Sequence, residues 1–203
     1  MPFVDVRKKI SVILTIVVLH GCSLVQNKST HEESGASSRA ATMTGGEYHR
    51  AINDLKAGRD DDALSRFKAM SESHPDFAAS YINIGLIEIQ RDDLHTAETA
   101  LLRAATLAPQ QPEVYNGLGI IYRRTGRFKE AESAYLKALQ FAPDYANAHL
   151  NIGILYDIYL NKLSAALDHY QRYQAISGGN NTVVKKWIID VKQRLAKTMG
   201  AAK

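Results

Sequence analysis

From Ala78 onward the apolar residues fall at helical spacing in paired runs, and the pairs recur every thirty-four residues. Tyr81, Ile84, Gly85, Ala97, Leu101, Ala104 and Pro109 are followed, one period on, by Tyr115, Leu118, Gly119, Ala131, Tyr135, Ala138 and Pro143. An earlier, degenerate unit has Ala51 in the glycine place, then Phe67 and Pro75. Its residues 58–63 echo residues 126–131. A fourth unit restores Ile152, Gly153 and Tyr156, but Gly153 to Ala166 is thirteen residues where Gly119 to Ala131 is twelve, which predicts a one-residue insertion near 157–160. Gly178 and Gly179 stand there instead of the proline.

Each unit reads as two helices. Glycine inside a helix costs about 1 kcal/mol relative to alanine, so Gly85, Gly119 and Gly153 imply a partner at close range. The small residues Ala97, Ala131 and Ala166 are the expected partners on the second helix. Prolines just past that helix end it and stiffen the next turn. Asp60, Asp92 or Asp93, and Asp144 lie near helix starts, where a carboxylate accepts free backbone N–H groups. After residues 178–181, Thr182 is the expected N-cap of a last helix with Val183, Val184, Trp187, Ile188, Val191 and Leu195 on one side. Lys185, Lys186, Lys192, Arg194 and Lys197 cover the other side.

These landmarks resemble the tetratricopeptide repeat family, whose signature is an aromatic, a Leu-Gly pair, a tyrosine, two spaced alanines and a closing proline. The resemblance implies an all-α fold: a right-handed superhelical solenoid of about four helix pairs over residues 45–177, plus a C-terminal capping helix and tail over 180–203. The repeats are expected near 44–77, 78–111, 112–145 and 146–178. Such units bury their apolar faces only against neighbours, so about three or more must stack and the ends need closing. Residues 162–174 with the tryptophan helix after them are similar to the terminal unit of periplasmic repeat lipoproteins.

The first residues read differently. Arg7, Lys8 and Lys9 precede an uncharged apolar run over residues 10–19, then His20, Gly21 and Cys22. That order is the one found in a bacterial secretory signal, and the run is shorter than the roughly 20 residues needed to span a bilayer. The single cysteine at its end resembles a lipobox, with His20 in a place the family gives to a small residue. Residues 1–21 are thus expected to be removed, with Cys22 lipidated as the first residue of the mature chain. Several acyl chains make a durable anchor where one binds reversibly. Ser23, where inner-membrane members of that class carry Asp, implies the outer membrane, facing the periplasm. Residues 22–44 are polar and read as a flexible tether. About 20 such residues have an end-to-end distance near roughly 25 Å.

Charge adds little. The formal +4 includes three basic residues against Asp5 within 1–21, so the mature chain stands near +2. That is no footprint for nucleic acid. No HExxH, phosphate loop, G-x-S-x-G or second cysteine is present. His31, Glu32 and Glu33 read as solvated rather than metal-binding, His149 takes an aromatic packing place, and His169 reads as structural. No enzyme activity, cofactor or metal is expected.

A solenoid of this kind takes its inner wall from the first helix of each repeat. Counting from the glycines places Ile52, Leu86, Ile120 and Ile154 inward, together with Tyr48, Ile82, Asn116 and Leu150; Asn83, Asn151 and Arg123 lie beside them. Aliphatic residues at this spacing equally suit the core between repeats. As a groove, the set would offer apolar surface with amide and guanidinium donors, suited to a peptide or protein. Carboxylate-clamp members of the family use lysine on these faces, and Tyr48 stands in the matching place here. The expectation is a non-catalytic envelope scaffold for an unidentified protein or peptide, held to the membrane by its lipid, with no nucleic-acid partner. The alternatives are a pilotin or assembly factor for secretin or type IV pilus, and an enzyme using a groove histidine.

Overall fold

The computed structural model describes residues 34–200, so the expected secretion signal over 1–21, Cys22 and the first part of the expected tether lie outside the described residues. Among the described residues there are nine α-helices and no strand: α1 Ser34–Lys56, α2 Asp60–Ser73, α3 Ala78–Gln90, α4 Leu94–Leu107, α5 Pro112–Arg124, α6 Phe128–Phe141, α7 Ala146–Ile154, α8 Leu163–Ile176 and α9 Thr182–Gly200. The chain divides into two compact units, one ending at Met70 and one beginning at Ser71.

In the first unit α1 begins at Ser34, so residues 34–44, read from composition as tether, belong to a helix. Their alanines, arginine and methionine are good helix formers, which the polar average hides. Ala51, Ala63 and Phe67 are fully buried, and Tyr48 packs on Phe67 at 5.9 Å between ring centroids. Arg59 and Arg66 both donate to Asp54 and hold its carboxyl below the usual range.

One turn geometry joins the two helices of every repeat. Gly58, Asp92, Gly126 and Asn161 occupy equivalent places, and all four have positive φ. The N–H after each of the first three donates five residues back, from Arg59 to Asp54 O at 2.9 Å, Asp93 to Glu88 O at 3.0 Å and Arg127 to Tyr122 O at 2.8 Å. This left-handed closure satisfies carbonyls that the helix end leaves free. Asp92 is therefore the turn residue, and Asp93 is the N-cap of α4, accepting from Thr96 N at 3.1 Å. In the fourth repeat Lys162 reaches six residues back, to Tyr156 O at 2.8 Å, because Leu155–Tyr159 form a π-helical turn continuing α7. The inserted residue is absorbed there.

The second unit is built on close approach at the glycines, and the partners are larger than the alanines. A Cβ at Gly85 would stand 2.5 Å from Leu101 Cγ, one at Gly119 2.5 Å from Tyr135 Cδ1, and one at Gly153 2.7 Å from Tyr170 Cδ1. Leu101, Tyr135 and Tyr170 are fully buried. Ala97, Ala131 and Ala166 are buried too, and the Ala97 carbonyl oxygen stands 3.3 Å from a Cβ added at Gly85. Gly117 does the same between repeats, where an added Cβ would meet Leu101 Cδ1 at 2.6 Å.

At the end of the array Trp187 packs on Tyr170 at 5.6 Å, with Val184 and Val191 buried beside it. The N-cap of α9 is Asn181 rather than Thr182: Asn181 Oδ1 accepts from Val183 N and Val184 N, each at 3.1 Å. Arg194, expected on the solvated side, instead pairs with the buried Asp157. Lys185, Lys186, Lys192 and Lys197 are exposed.

Candidate functional site

The candidate face runs along α3, α5 and α7. Residues 113, 116, 120 and 123 of α5 lie within an arc of roughly 80° at 100° per residue, so Glu113, Asn116, Ile120 and Arg123 form one stripe. Asn151 of α7 donates to Asn116 Oδ1 at 3.0 Å, joining repeats three and four by a buried amide pair. Asn83 of α3 donates to Ala79 O at 2.8 Å.

These side chains are not an open wall. Ile82, Asn83, Asn116, Ile120, Arg123, Asn151 and Ile154 are each less than a tenth exposed, and Leu150 is fully buried. Leu86 is half-buried. Aliphatic residues at this spacing serve the packing between repeats as well as the inner face. Tyr48 and Ile52 lie on α1 in the first unit and are half-buried. Repeat-closing Pro109 and Pro143 are exposed.

The polar groups on this stripe are poorly provided for within the chain. Arg123 is 6% exposed; its Nε reaches Tyr135 Oη at 3.4 Å and its guanidinium stands 6.0 Å from the Tyr159 ring centroid. Its Nη1 is buried with no partner, and so is Glu113 Oε2. Burial pushes the Glu113 carboxyl up. Burial, then the neighbouring Glu113 carboxylate, raises the Tyr145 hydroxyl to about 12. Asp157, one period from Arg123 by the insertion-free count, accepts from Tyr170 Oη at 3.2 Å and from Arg194. An unmet buried donor or acceptor costs about 1–3 kcal/mol, so Arg123 and Glu113 carry unused hydrogen-bonding capacity.

Two features of the array escaped sequence reading. The first-helix aromatics do more than pack: Tyr115 Oη donates to Pro109 O at 2.7 Å and Tyr81 Oη to Pro75 O at 3.4 Å. His149 Nε2 makes the matching contact to Pro143 O at 2.8 Å. Adjacent repeats are also tied by ion pairs at equivalent places. Arg127 binds Glu98 through two bonds of 2.9 and 2.6 Å and lies 4.3 Å over Tyr122, while Lys162 binds Glu132 at 2.7 Å and lies 5.0 Å over Tyr156. A thirty-four-residue offset applied to charged residues, and not only to apolar ones, would have exposed the second set.

Among the described residues no group of three or more His, Cys, Asp or Glu is placed to hold a metal ion, and no helix is long and apolar enough to cross a membrane.

A tetratricopeptide repeat profile matches residues 76–144 and 110–177, together half of the chain. No curated protein matches it in sequence. Among solved structures, the chain is similar to a thermophilic TPR protein of Thermus thermophilus, at 19% identity and a TM-score of 0.61 over 77% of this chain and 87% of that one. It is also similar to the first TPR of Spaghetti (RPAP3), solved with an HSP90 peptide, at 22% identity and a TM-score of 0.55 over 59% of this chain and 93% of that one. An O-GlcNAc transferase of Thermobaculum terrenum matches at 20% identity and a TM-score of 0.63 over 68% of this chain, which spans only 26% of the transferase. At these identities the likeness is one of fold. With the profile covering half its length and the glycine, alanine, aromatic and proline landmarks in register, the chain belongs to the tetratricopeptide repeat family.

Proposed function

We propose that this chain is a non-catalytic scaffold that binds a protein or peptide along the first helices of its repeats. The observation that carries this reading is the α5 stripe, where Arg123 Nη1 and Glu113 Oε2 are buried without a partner in the chain beside the Asn116–Asn151 pair. An extended peptide backbone has both acceptors and donors to offer such groups. A fold relative solved with an HSP90 peptide supports a peptide as the class of ligand. We further propose that the scaffold is lipid-anchored through Cys22 and faces the periplasm from the outer membrane. The order of charged, apolar and cysteine residues over 7–22, followed by Ser23, supports it.

A photo-crosslinking residue at Leu86 or Asn147, both half-buried on first helices, should trap a discrete partner in cells, and Arg123→Gln should weaken the capture. Crosslinks arising only from Leu102 and Leu136, exposed on the second helices, would place binding elsewhere and refute the reading. For the anchor, Cys22→Ser should move the protein out of the membrane fraction; an unchanged distribution would end that part of the proposal.

A further inference from the structure

The fourth repeat differs from its neighbours at two places that touch. Aligned on Gly85, Gly119 and Gly153 and on Leu101, Tyr135 and Tyr170 against them, repeats two and three carry Tyr81 with Ala100 and Tyr115 with Ala134. Repeat four carries His149 and His169. The two Nδ1 atoms are 2.9 Å apart, and the ring centroids 5.1 Å.

The geometry fixes the protons. Pro143 O can only accept, so the 2.8 Å contact requires a hydrogen on His149 Nε2. Neutral His149 then has its lone pair on Nδ1, and His169 must donate from its own Nδ1, leaving His169 Nε2 bare. One backbone carbonyl thus sets both tautomers. A second hydrogen on His149 would put two N–H groups face to face. A proton on His169 Nε2 would place a cation in a half-buried site.

We propose that the His149–His169 pair is an acid-sensitive latch, holding α7 against α8 when both rings are neutral and loosening the fourth repeat on acidification. Little stands ready to receive the new charge. From α7 the nearest titratable group is His149 itself, and from the π turn it is the Tyr156 ring, 5.6 Å away between centroids. Glu132 of α6 is already engaged by Lys162. On α8 the adjacent Asp168 is exposed, and α9 meets this helix with Trp187 on Tyr170 while its Arg194 is bound to Asp157. Burial, then the neighbouring imidazole, depresses His169 from its ordinary 6.5 to about 4, with Asp168 opposing.

Hydrogen exchange on the full chain, corrected for intrinsic rates, tests the latch. Between pH 7.5 and 5, peptides of α7 and α8 should lose about tenfold protection relative to those of α3 to α6, a factor worth one pKa unit. The variant His149→Tyr with His169→Ala, which gives repeat four the residues of repeat three, should lose this selective loosening. Equal loss across all repeats in the native chain, or the same selective loss in the variant, would overturn the latch. Nitrogen-15 spectra of the native chain provide a reading that needs no variant. The expected neutral forms are Nε2–H for His149 and Nδ1–H for His169; the opposite tautomer on either ring would equally overturn it.

Discussion

Gly119→Ala sets two effects of opposite sign against each other. Helix propensity alone favours alanine by about 1 kcal/mol. The structure opposes it: the new Cβ would stand 2.5 Å from Tyr135 Cδ1 and 2.9 Å from Cζ. Ordinary carbon contacts lie near 3.5–4.0 Å, so the ring would have to retreat by about 1 Å. Tyr135 is fully buried and its hydroxyl accepts from Arg123, so it has no free direction in which to move. Overpacking of this kind costs about 1–3 kcal/mol. A contact this short belongs in the upper half of that range, about 2–3 kcal/mol, which leaves a net loss of about 1–2 kcal/mol after the propensity gain. That corresponds to a melting temperature lower by about 3–10 °C for a domain of this size. Gly46 in α1 has nothing within 4 Å of an added Cβ, so Gly46→Ala should show the propensity gain and melt no lower than the parent. Thermal and urea denaturation followed by circular dichroism would measure both. Combining Gly119→Ala with Tyr135→Ala should be strongly non-additive, because alanine is harmless once the ring is gone. If Gly119→Ala alone melted at or above the parent, close approach would not be the reason for the glycine.

Three further outcomes follow from named contacts. Asn181→Ala removes the N-cap of α9 and should cost about 1 kcal/mol, read as loss of exchange protection confined to α9. Arg127→Ala breaks a two-bond pair with Glu98 and a contact with Tyr122; both ends are partly exposed, so the loss should be about 0.5–1 kcal/mol and shrink as salt rises in urea melts. Depression of His169 from 6.5 to about 4 means that the unfolded chain takes up its proton first. That contribution to stability is complete above about pH 6.5 and drains away as pH falls toward 4. Screening at this half-exposed ring limits it to about 1–2 kcal/mol, and urea midpoints at pH 7 and 5 in the native chain and in the His149→Tyr, His169→Ala variant would measure it.

The repeat was legible because its landmarks are apolar or conformational. Glycine spacing gave the helix pairs, and the thirteen-residue step from Gly153 to Ala166 located the π turn at Leu155–Tyr159 to within a few residues. What met the glycines was less legible, since a periodic pattern does not say which of Ala131 and Tyr135 lies under Gly119, and the choice depends on how far each side chain reaches across the gap. Arg194 was misplaced for a related reason. Amphipathic counting puts a charged residue on the solvated side, but a long stem lets this one reach Asp157. The inner-face series was visible as periodicity, yet periodicity alone does not separate a groove from the core between repeats, and Leu150 and Ile154 lie in the interior. Helical residues 34–44 were hidden by averaging composition over a stretch whose second half favours helix.

Among repeats two to four, departures from the pattern gather in the fourth, and they are physically connected. The extra residue bulges α7 into a π turn that carries Asp157 and Tyr159. Asp157 is thereby tied to both Tyr170 and Arg194, so the closing helix is fastened to the irregular turn as well as to the apolar seam at Trp187. The same helix α7 begins with the His149 contact to Pro143 and ends at that turn. Loosening its grip on α8 would therefore act on the cap and on Asn151, the amide that joins repeat four to Asn116. Repeats two and three carry tyrosine–carbonyl bonds in the place of the His149 contact. A stack in which one terminal copy responds to acid while its neighbours hold can change shape at one end without unfolding, because in a repeat array each unit is held chiefly by its neighbours.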